Sequence, residues 1–287
     1  KKINIIQLKK NYGYSKGYNL GLKNIKEKIL CLINNDVKVS KDWINPILAF
    51  FNKNKKVGIL QPHIMSHLNN NKFEYAGAAG GFIDKLGYPF CKGRIFNYLE
   101  ENKNQYDKNC QIFWASGSCF FIKNDLFREL NGFDEDFFAH QEEIDLCWRA
   151  KIKGNEIWSI YNSKVYHLGG GTISYNSPQK TFLNHRNNIL MLIKNLPNDM
   201  FFNILFKRFI LDFITSLWHF FNFRPKHSFS IIKAYWDLIF LFKRFKNKRY
   251  KSNNYNKYFI INNLPYSYFI KRLKKFTDLE VNNNNLC

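Results

Sequence analysis

Apolar runs of strand length alternate with helical patterns of apolar and polar residues along the first two thirds of the chain. The runs show little polar alternation, which is typical of strands that are buried on both faces of a sheet. Strands are predicted at 3–8, 28–37, 57–65 and at the starts of 112–130 and 156–170. Helices are predicted at 15–25, 41–54, the end of 112–130 and the stretch that ends at Gly154. This order predicts an α/β fold with a doubly wound, mostly parallel sheet flanked by helices.

The pattern changes at two places along the chain. Residues 66–110 are rich in glycine, asparagine and lysine and are predicted to form a long irregular insert. In the last third, residues 200–223 and 228–250 predict two apolar helices spotted with lysine and arginine. We therefore expect a first domain over residues 1–197 and a basic helical region over residues 198–287. No stretch reaches the ~18 uncharged apolar residues of a simple transmembrane helix.

The chain carries a formal charge of +22 at pH 7, from 44 Lys and Arg against 22 Asp and Glu. Such an excess favours a polyanionic partner, which can be nucleic acid, an anionic membrane surface or a phosphorylated substrate. The charge alone does not decide among these partners.

The stretch "LINNDV" places Asn34, Asn35 and Asp36 at the end of a predicted strand. Ligands bind beyond the carboxyl ends of the strands in open α/β sheets. An oxygen-bearing side chain close to an aspartate can share one divalent cation with it. The alternative is a simple strand-ending turn, since Asn and Asp favour turns.

Two turns rich in small residues are candidates for contact with a ligand. "NYGYSKGYNLG" precedes a predicted helix, where glycines allow close approach and the helix start favours phosphates. "WASGSCFFI" can bring backbone N–H groups to a substrate. An ordinary connection and tight packing, respectively, explain the same residues equally well. The candidates are Asn11, Gly13, Gly17 and Asn19 in the first turn, and Trp114, Gly117 and Ser118 in the second.

The stretch "HQEEIDLCWRA" concentrates acids at a predicted helix start. Glu142 and Asp145 share one helix face with Arg149. Acids in a first turn complement the helix dipole, which is one explanation. However, the aromatic approach "FDEDFFAH" would partly bury them, and a partly buried carboxylate with a raised pKa is a suitable general base. Further on, His167 precedes three glycines in "VYHLGGGT" and is either structural or a metal ligand.

In this order, the motifs from "NYGYSKGYNLG" to "NHRNNILMLIKN" resemble the family 2 glycosyltransferases. Within that family, the motifs are most similar to rhamnosyltransferase-like members that build bacterial surface polysaccharides. The likeness covers residues 3 to about 195 and is highly specific in 131–172. It implies a GT-A fold, with a Rossmann-like sheet that binds a nucleotide-diphosphate sugar, and transfer with inversion. Such families begin with strands that are not in this sequence, so we expect a segment before Lys1.

The resemblance also implies roles for single residues. Asp36, with Asn34 or Asn35, would hold Mg²⁺ or Mn²⁺ on the donor diphosphate, and His167 can complete that site. The acidic pair of the family is usually Glu-Asp, with its second acid as the base. Here the pair is Glu-Glu, so the base carries over to Glu143, with Glu142 and Asp145 as rivals.

The resemblance gives the basic helical region a role as well. Lipid-linked saccharide acceptors are common in the family, so the apolar and basic helices are expected to attach to an anionic membrane at its inner, cytoplasmic face. The alternative is that these helices simply pack on the first domain. Two rival functions remain: a nucleic-acid-binding protein, in which aromatic and basic residues contact bases and phosphates, and an inactive transferase remnant.

Overall fold

The computed structural model describes residues 3–69, 71–75, 77–168, 177–250 and 258–281. The strands are β1 Ile29–Ile33, β2 Val37–Val39, β3 Val57–Ser66, β4 Gly81–Ile83, β5 Pro89–Cys91, β6 Arg94–Ile95, β7 Tyr98–Leu99, β8 Cys110–Gln111, β9 Cys119–Lys123 and β10 Glu156–His167. The helices are α1 Gly13–Leu22, α2 Ile44–Lys53, α3 Asn124–Glu129, α4 Glu142–Ile152, α5 Pro178–Asn195, α6 Asn198–Phe221 and α7 Pro225–Asn247. Short helical turns lie at Glu135–Phe137, Tyr266–Ile270 and Phe276–Asp278.

A central sheet runs in the order β1-β9-β3-β10-β2, and β8 adds to β10. Apolar side chains on both faces of this sheet are buried, as the near-continuous apolar runs predicted. Leu60 of β3 and Phe121 of β9 pack with Ile47 of α2, whereas Ile59 and Ile122 belong to the larger core on the other face. The predicted α/β class is therefore confirmed.

The pairing within this sheet differs from the expected mostly parallel arrangement. Among the described strands, β3 and β10 form a parallel pair, while β1, β9, β8 and β2 pair antiparallel to their neighbours. Strand periodicity reports burial but not direction, so the sequence pattern could not distinguish the two arrangements.

Two element predictions need correction. Residues 3–8 are described and form no strand; Ile3 and Ile5 are 89% and 87% exposed. A strand needs a neighbour to satisfy its backbone, and an apolar run alone does not supply one. Residues 66–110 are not irregular throughout, because β4 to β7 form a second, four-stranded sheet there.

The last third forms the helices α6 and α7, close to the predicted positions. Phe201 of α6 and Phe245 of α7 are buried in the same core as α4 and α5. The division at residues 197 and 198 coincides with the start of α6 and stays a prediction. Among helices of the described residues, none combines the length and the apolar content needed to cross a bilayer.

Candidate active site

Strand pairing brings Asp36 and His167 together. β2 and β10 are antiparallel, with His167 opposite Val37, the residue that follows Asp36. The Nε2 atom of His167 lies 3.2 Å from Oδ1 of Asp36, and its Nδ1 atom lies 3.4 Å from Oε1 of Glu74. Burial lowers the pKa of His167, but the two carboxylates outweigh it, so the pKa is raised above its usual value.

Asp36 and His167 carry donor atoms that can bind Mg²⁺ or Mn²⁺. The Oδ1 atom of Asp36 is buried and has no hydrogen-bond partner, although an imidazole nitrogen lies beside it. Oxygen and imidazole donors suit Mn²⁺, and carboxylate oxygen suits Mg²⁺. Within the described ranges, no three acidic, His or Cys side chains are grouped to hold a metal ion. The donor atoms of Asp36 and His167 are thus of the kind that such a cation takes.

The two asparagines of the "NND" turn are placed differently. The Asn34 N–H donates to the Ser118 carbonyl (2.9 Å), which joins the end of β1 to the small-residue turn before β9. Asn35 is exposed at the tip of the turn. The structure records no side-chain hydrogen bond for either within the described residues, so their predicted role as ligands stays a prediction.

The predicted phosphate turn at α1 uses its polar groups within the protein. The Gly13 N–H donates to Asn11 Oδ1 (2.9 Å), and the Tyr14 N–H donates to the Phe138 carbonyl (2.9 Å). Asn19 pairs with both backbone groups of Phe133, each at 2.9 Å. These contacts give Asn11, Gly13 and Asn19 structural roles.

The two glycines Gly13 and Gly17 of this turn differ in the space around them. Gly13 has a φ of +78°, and a Cβ atom there would lie 2.6 Å from the Phe138 ring. Gly17, by contrast, has no atom within 4 Å of the corresponding position. Of the predicted glycines, Gly17 therefore has space beside its backbone.

The turn that contains Trp114, Gly117 and Ser118 lies next to the acids, but its three predicted residues are not equivalent. Trp114 is buried and donates from Nε1 to the Phe82 carbonyl (2.8 Å), which gives it a packing role. Ser118 is buried, and its hydroxyl lies 2.9 Å from the Ser116 hydroxyl. Gly117 is half-buried, and its carbonyl accepts a 2.6 Å hydrogen bond from the Tyr14 hydroxyl.

Glu143 faces Gly117. A Cβ atom on Gly117 would lie 3.7 Å from the carboxyl carbon of Glu143 and 3.2 Å from the Tyr14 hydroxyl. Burial raises the pKa of Glu143 to about 7, although backbone N–H groups at the start of α4 act in the opposite direction. Its Oε2 atom has no hydrogen-bond partner. Glu143 is thus a carboxylate that can hold or release a proton near neutral pH.

Glu142 is more deeply buried than Glu143, with 4% of its surface exposed. Its pKa is raised well above the usual value, first by burial and then by the charge of Glu143. Two adjacent acids of this kind cannot both ionise easily. Glu143 is therefore the more readily ionised of the pair.

Asp145 differs from both acids although it lies in the same helical turn. It is fully buried, and its Oδ2 atom lies 2.8 Å from Arg149 Nε and 2.9 Å from Lys194 Nζ. Burial alone would raise its pKa, but these two cations hold the pKa below its usual value. Asp145 already has strong partners, so the geometry favours a structural role over that of a base.

The turn before α4 is held in an unusual conformation that sequence reasoning did not predict. Phe138, His140 and Gln141 have φ angles of +61°, +70° and +73°. The fully buried Asn187 of α5 donates from Nδ2 to the carbonyls of Phe137 (2.9 Å), Ala139 (2.8 Å) and His140 (2.7 Å). Residues in this φ region cost energy and persist when their surroundings fix them. Asn187 is part of that fixation.

Other residues of the site were also missed. Tyr14 lies inside the turn "NYGYSKGYNLG", but only its neighbours in that turn were predicted to contact a ligand. Glu74 lies in the stretch that was predicted to be irregular. His140 has a buried Nε2 atom with no hydrogen-bond partner, and burial followed by the charge of Lys180 lowers its pKa to about 4. A signal for Asn187 was present in "NHRNNILMLIKN", although the sequence did not show which carbonyls it would reach.

Residues 1–130 match the family "Glycosyl transferase family 2". These residues belong to a glycosyl transferase family 2 domain. The resemblance predicted from the motifs is confirmed. The matched stretch of this family 2 domain includes α1, the "NND" turn and Gly117, whereas α4 and His167 lie beyond it.

Among curated relatives, the low-salt glycan biosynthesis hexosyltransferase Agl10 of Haloferax volcanii is 24% identical over 191 residues, which cover 63% of this chain and 57% of that protein. The rhamnosyltransferase WbbL of Escherichia coli (strain K12) is 21% identical over 150 residues, which cover 50% and 56%. The chain thus spans little more than half the length of these relatives.

Two solved structures are similar to part of this chain. The crystal structure of GalNAc-T7 with UDP, GalNAc and Mn²⁺ is 17% identical, covers 65% of this chain and 35% of that one, and has a TM-score of 0.47. The structure of S. aureus TarS residues 1–349 with UDP is 15% identical, covers 65% and 47%, and has a TM-score of 0.40.

Proposed function

We propose that this chain is an inverting glycosyltransferase that moves a sugar from a nucleotide-diphosphate sugar to a hydroxyl group of a saccharide acceptor. The observation that carries the proposal is the carboxylate of Glu143. It lies beside Gly117, has an unpartnered oxygen and has a pKa of about 7, in a chain whose first 130 residues are a family 2 domain. A base with this pKa can accept a proton at neutral pH.

In the proposed reaction, the acceptor hydroxyl attacks the anomeric carbon on the side opposite the leaving nucleotide diphosphate. Glu143 takes the hydroxyl proton as the new glycosidic bond forms. The sugar–phosphate bond breaks, and its electron pair remains on the diphosphate. The first turn of α4 and Asn187 hold the base in place, and the reaction needs no covalent intermediate.

Charge that develops on the diphosphate needs neutralisation. Asp36, in the same turn as Asn34 and Asn35, would hold Mg²⁺ or Mn²⁺ together with His167 at the end of β10. The cation, when bound, supplies positive charge to the diphosphate oxygens. Support for this assignment is the unpartnered Oδ1 atom of Asp36 beside the imidazole.

The proposed acceptor is a lipid-linked saccharide used in cell-surface polysaccharide synthesis, and the proposed place of action is the cytoplasmic face of the cell membrane. The relatives named for glycan synthesis and rhamnosyl transfer support the saccharide class. Neither the sugar nor the nucleotide is specified by the contacts of the site.

The test is donor turnover by the protein together with any sequence that precedes Lys1 in its gene. A panel of UDP-, dTDP- and GDP-sugars is screened with Mn²⁺ or Mg²⁺ and extracted membrane lipid. We expect nucleotide release to fall by roughly 10²–10⁴-fold in Glu143→Gln, with donor binding retained. Glu129→Gln is the control, because Glu129 is an exposed acid paired with Lys153.

Three results would count against the proposal. Equal release by wild type and Glu143→Gln would remove Glu143 as the base and favour Glu142. Release that is unaffected by a chelator would remove the cation. No donor binding with any sugar would remove the transferase function and favour the inactive remnant.

A further inference from the structure

The solvent-facing side of α6 is apolar along its whole length. Ten large apolar side chains of this helix are exposed. They include Phe202 (78% exposed), Phe206 (66%), Phe213 (55%) and Trp218 (54%). Half-exposed side chains of this size present an apolar area on the order of 1,000 Å², which exceeds the largest patch of a typical monomer.

This face does not belong to the core of the protein, because α6 already packs through its other side. Ile204, Arg208, Asp212 and Ser216 are buried at a helical spacing of four. Asp212 accepts hydrogen bonds from Tyr235 of α7 (2.8 Å) and from Arg208 (3.4 Å). The inward side of α6 is therefore a complete interface with its own polar contacts. The apolar side chains on the outward side take no part in that interface.

Helix α7 extends the same kind of surface. Five large apolar side chains of α7 are exposed, among them Phe229, Trp236 and Phe240. Its inward residues, which include Ile231 and Leu238, are buried. The two helices pack against each other, so we name their exposed apolar and basic residues the α6–α7 surface.

The charge on these helices indicates what the surface contacts. Residues 198–250 contain seven exposed Lys and Arg, but one exposed acid, Asp199. Lys207 lies among the apolar side chains of α6, while Lys243 and Lys246 lie near the end of α7. A second copy of the chain would bring like charges together, whereas anionic lipid head groups complement them.

We propose that the α6–α7 surface docks onto an anionic lipid bilayer, with Phe and Trp side chains of α6 inserted at the level of the head groups. Aromatic and aliphatic side chains next to lysines are the combination that binds at this depth. This binding does not depend on transferase activity.

Ion pairs connect the end of α7 to the aspartates that precede α4. Lys248 lies 2.7 Å from both Asp134 and Asp136, and Arg244 lies 2.8 Å from Asp136. These aspartates directly precede the turn at residues 138–141. If the proposed function holds, docking would also fix the height of Glu143 above the bilayer.

The experiment measures co-flotation of the full chain with vesicles that contain no acceptor. One set is phosphatidylcholine, and the other contains roughly one third phosphatidylglycerol. We expect binding to the anionic set, weakened roughly tenfold or more by Phe206→Ser with Phe213→Ser. Lys243→Gln with Lys246→Gln should weaken anionic binding and reduce its salt dependence.

A matched pair of single variants controls for loss of an exposed leucine. Leu217 on α6 is 41% exposed and Leu48 on α2 is 40% exposed. Leu217→Ser should weaken vesicle binding several-fold, while Leu48→Ser should not change it. Circular dichroism and gel filtration in buffer confirm that each variant is folded.

Three outcomes would overturn the proposal. The first is a folded wild type that binds neither vesicle set. The second is binding that Phe206→Ser with Phe213→Ser leaves unchanged. The third is a dimer in solution that this double variant dissociates without any vesicle binding, which would assign the surface to a second copy. Because no donor is present, a failure of the transferase proposal leaves these results intact.

Discussion

The start of α1 contacts the turn that precedes α4, and the two helix starts differ in how their polar groups are satisfied. At α1, the first backbone N–H groups are paired with Asn11 and with the Phe138 carbonyl. At α4, the cap residue Gln141 makes no side-chain cap, and Glu142 and Glu143 each keep an unpartnered oxygen. The sequence suggested a phosphate-binding turn at α1 and a general base at the start of α4. A start whose groups are satisfied serves as scaffold, whereas unsatisfied buried acids are available for chemistry.

The largest effect is expected from a substitution of Asp145. It tests whether all acids at the start of α4 have the same role. Asp145→Asn should lower the free energy of unfolding by about 3–5 kcal/mol. It leaves the buried Arg149 without its anion and removes one of the two anions that contact Lys194. Urea unfolding measures this change in unfolding free energy. The control is Asp125→Asn, which changes an exposed acid in the first turn of α3. Equal, small effects at both positions would remove the distinction between Asp145 and Glu143.

The next effect is expected at Asn187, which holds the turn between the two helix starts. Asn187→Leu removes the donor to three carbonyls and should cost about 2–3 kcal/mol of unfolding free energy. Hydrogen exchange should show faster exchange around residues 137–141. Asn184→Leu, a half-buried position on the same helix, is the control. If exchange in this turn is unchanged in a destabilised Asn187→Leu, the turn does not depend on this clamp.

A third test separates scaffold from ligand site at α1. Gly13→Ala should destabilise by about 2 kcal/mol, because φ is positive and the Phe138 ring occupies the space. Gly17→Ala should stabilise by about 0.5–1 kcal/mol, because Gly17 lies in the helix and its Cβ position is open. Loss of donor binding in a stabilised Gly17→Ala would support the predicted role of this turn in binding the donor.

The sequence predicted the α/β class and the acidic stretch, because burial and charge are encoded by residue type. It did not predict strand direction, since apolar runs are alike in parallel and antiparallel sheets. Glu143 and Asp145 show the same limit within the site. Their different pKa shifts depend on Lys194, which is about fifty residues away in the chain, and on whether an oxygen meets a cation. Such long-range pairs are not visible in a local motif.

The last test concerns the charge of Glu143 itself, and the sign of the effect follows from the raised pKa. Folding raises this pKa from 4.5 to about 7, so the folded state binds the proton more tightly and wild-type stability falls as pH rises across that window. Glu143→Gln should therefore match the wild type near pH 4 and exceed its unfolding free energy by about 1–2 kcal/mol at pH 8. Glu129→Gln should show no such trend, because Glu129 is exposed. Under the proposed function, turnover should rise through the same pH window in which this stability is lost, since both depend on one proton. A stability difference that does not vary with pH would place the carboxyl of Glu143 in water and remove the contrast between the two helix starts.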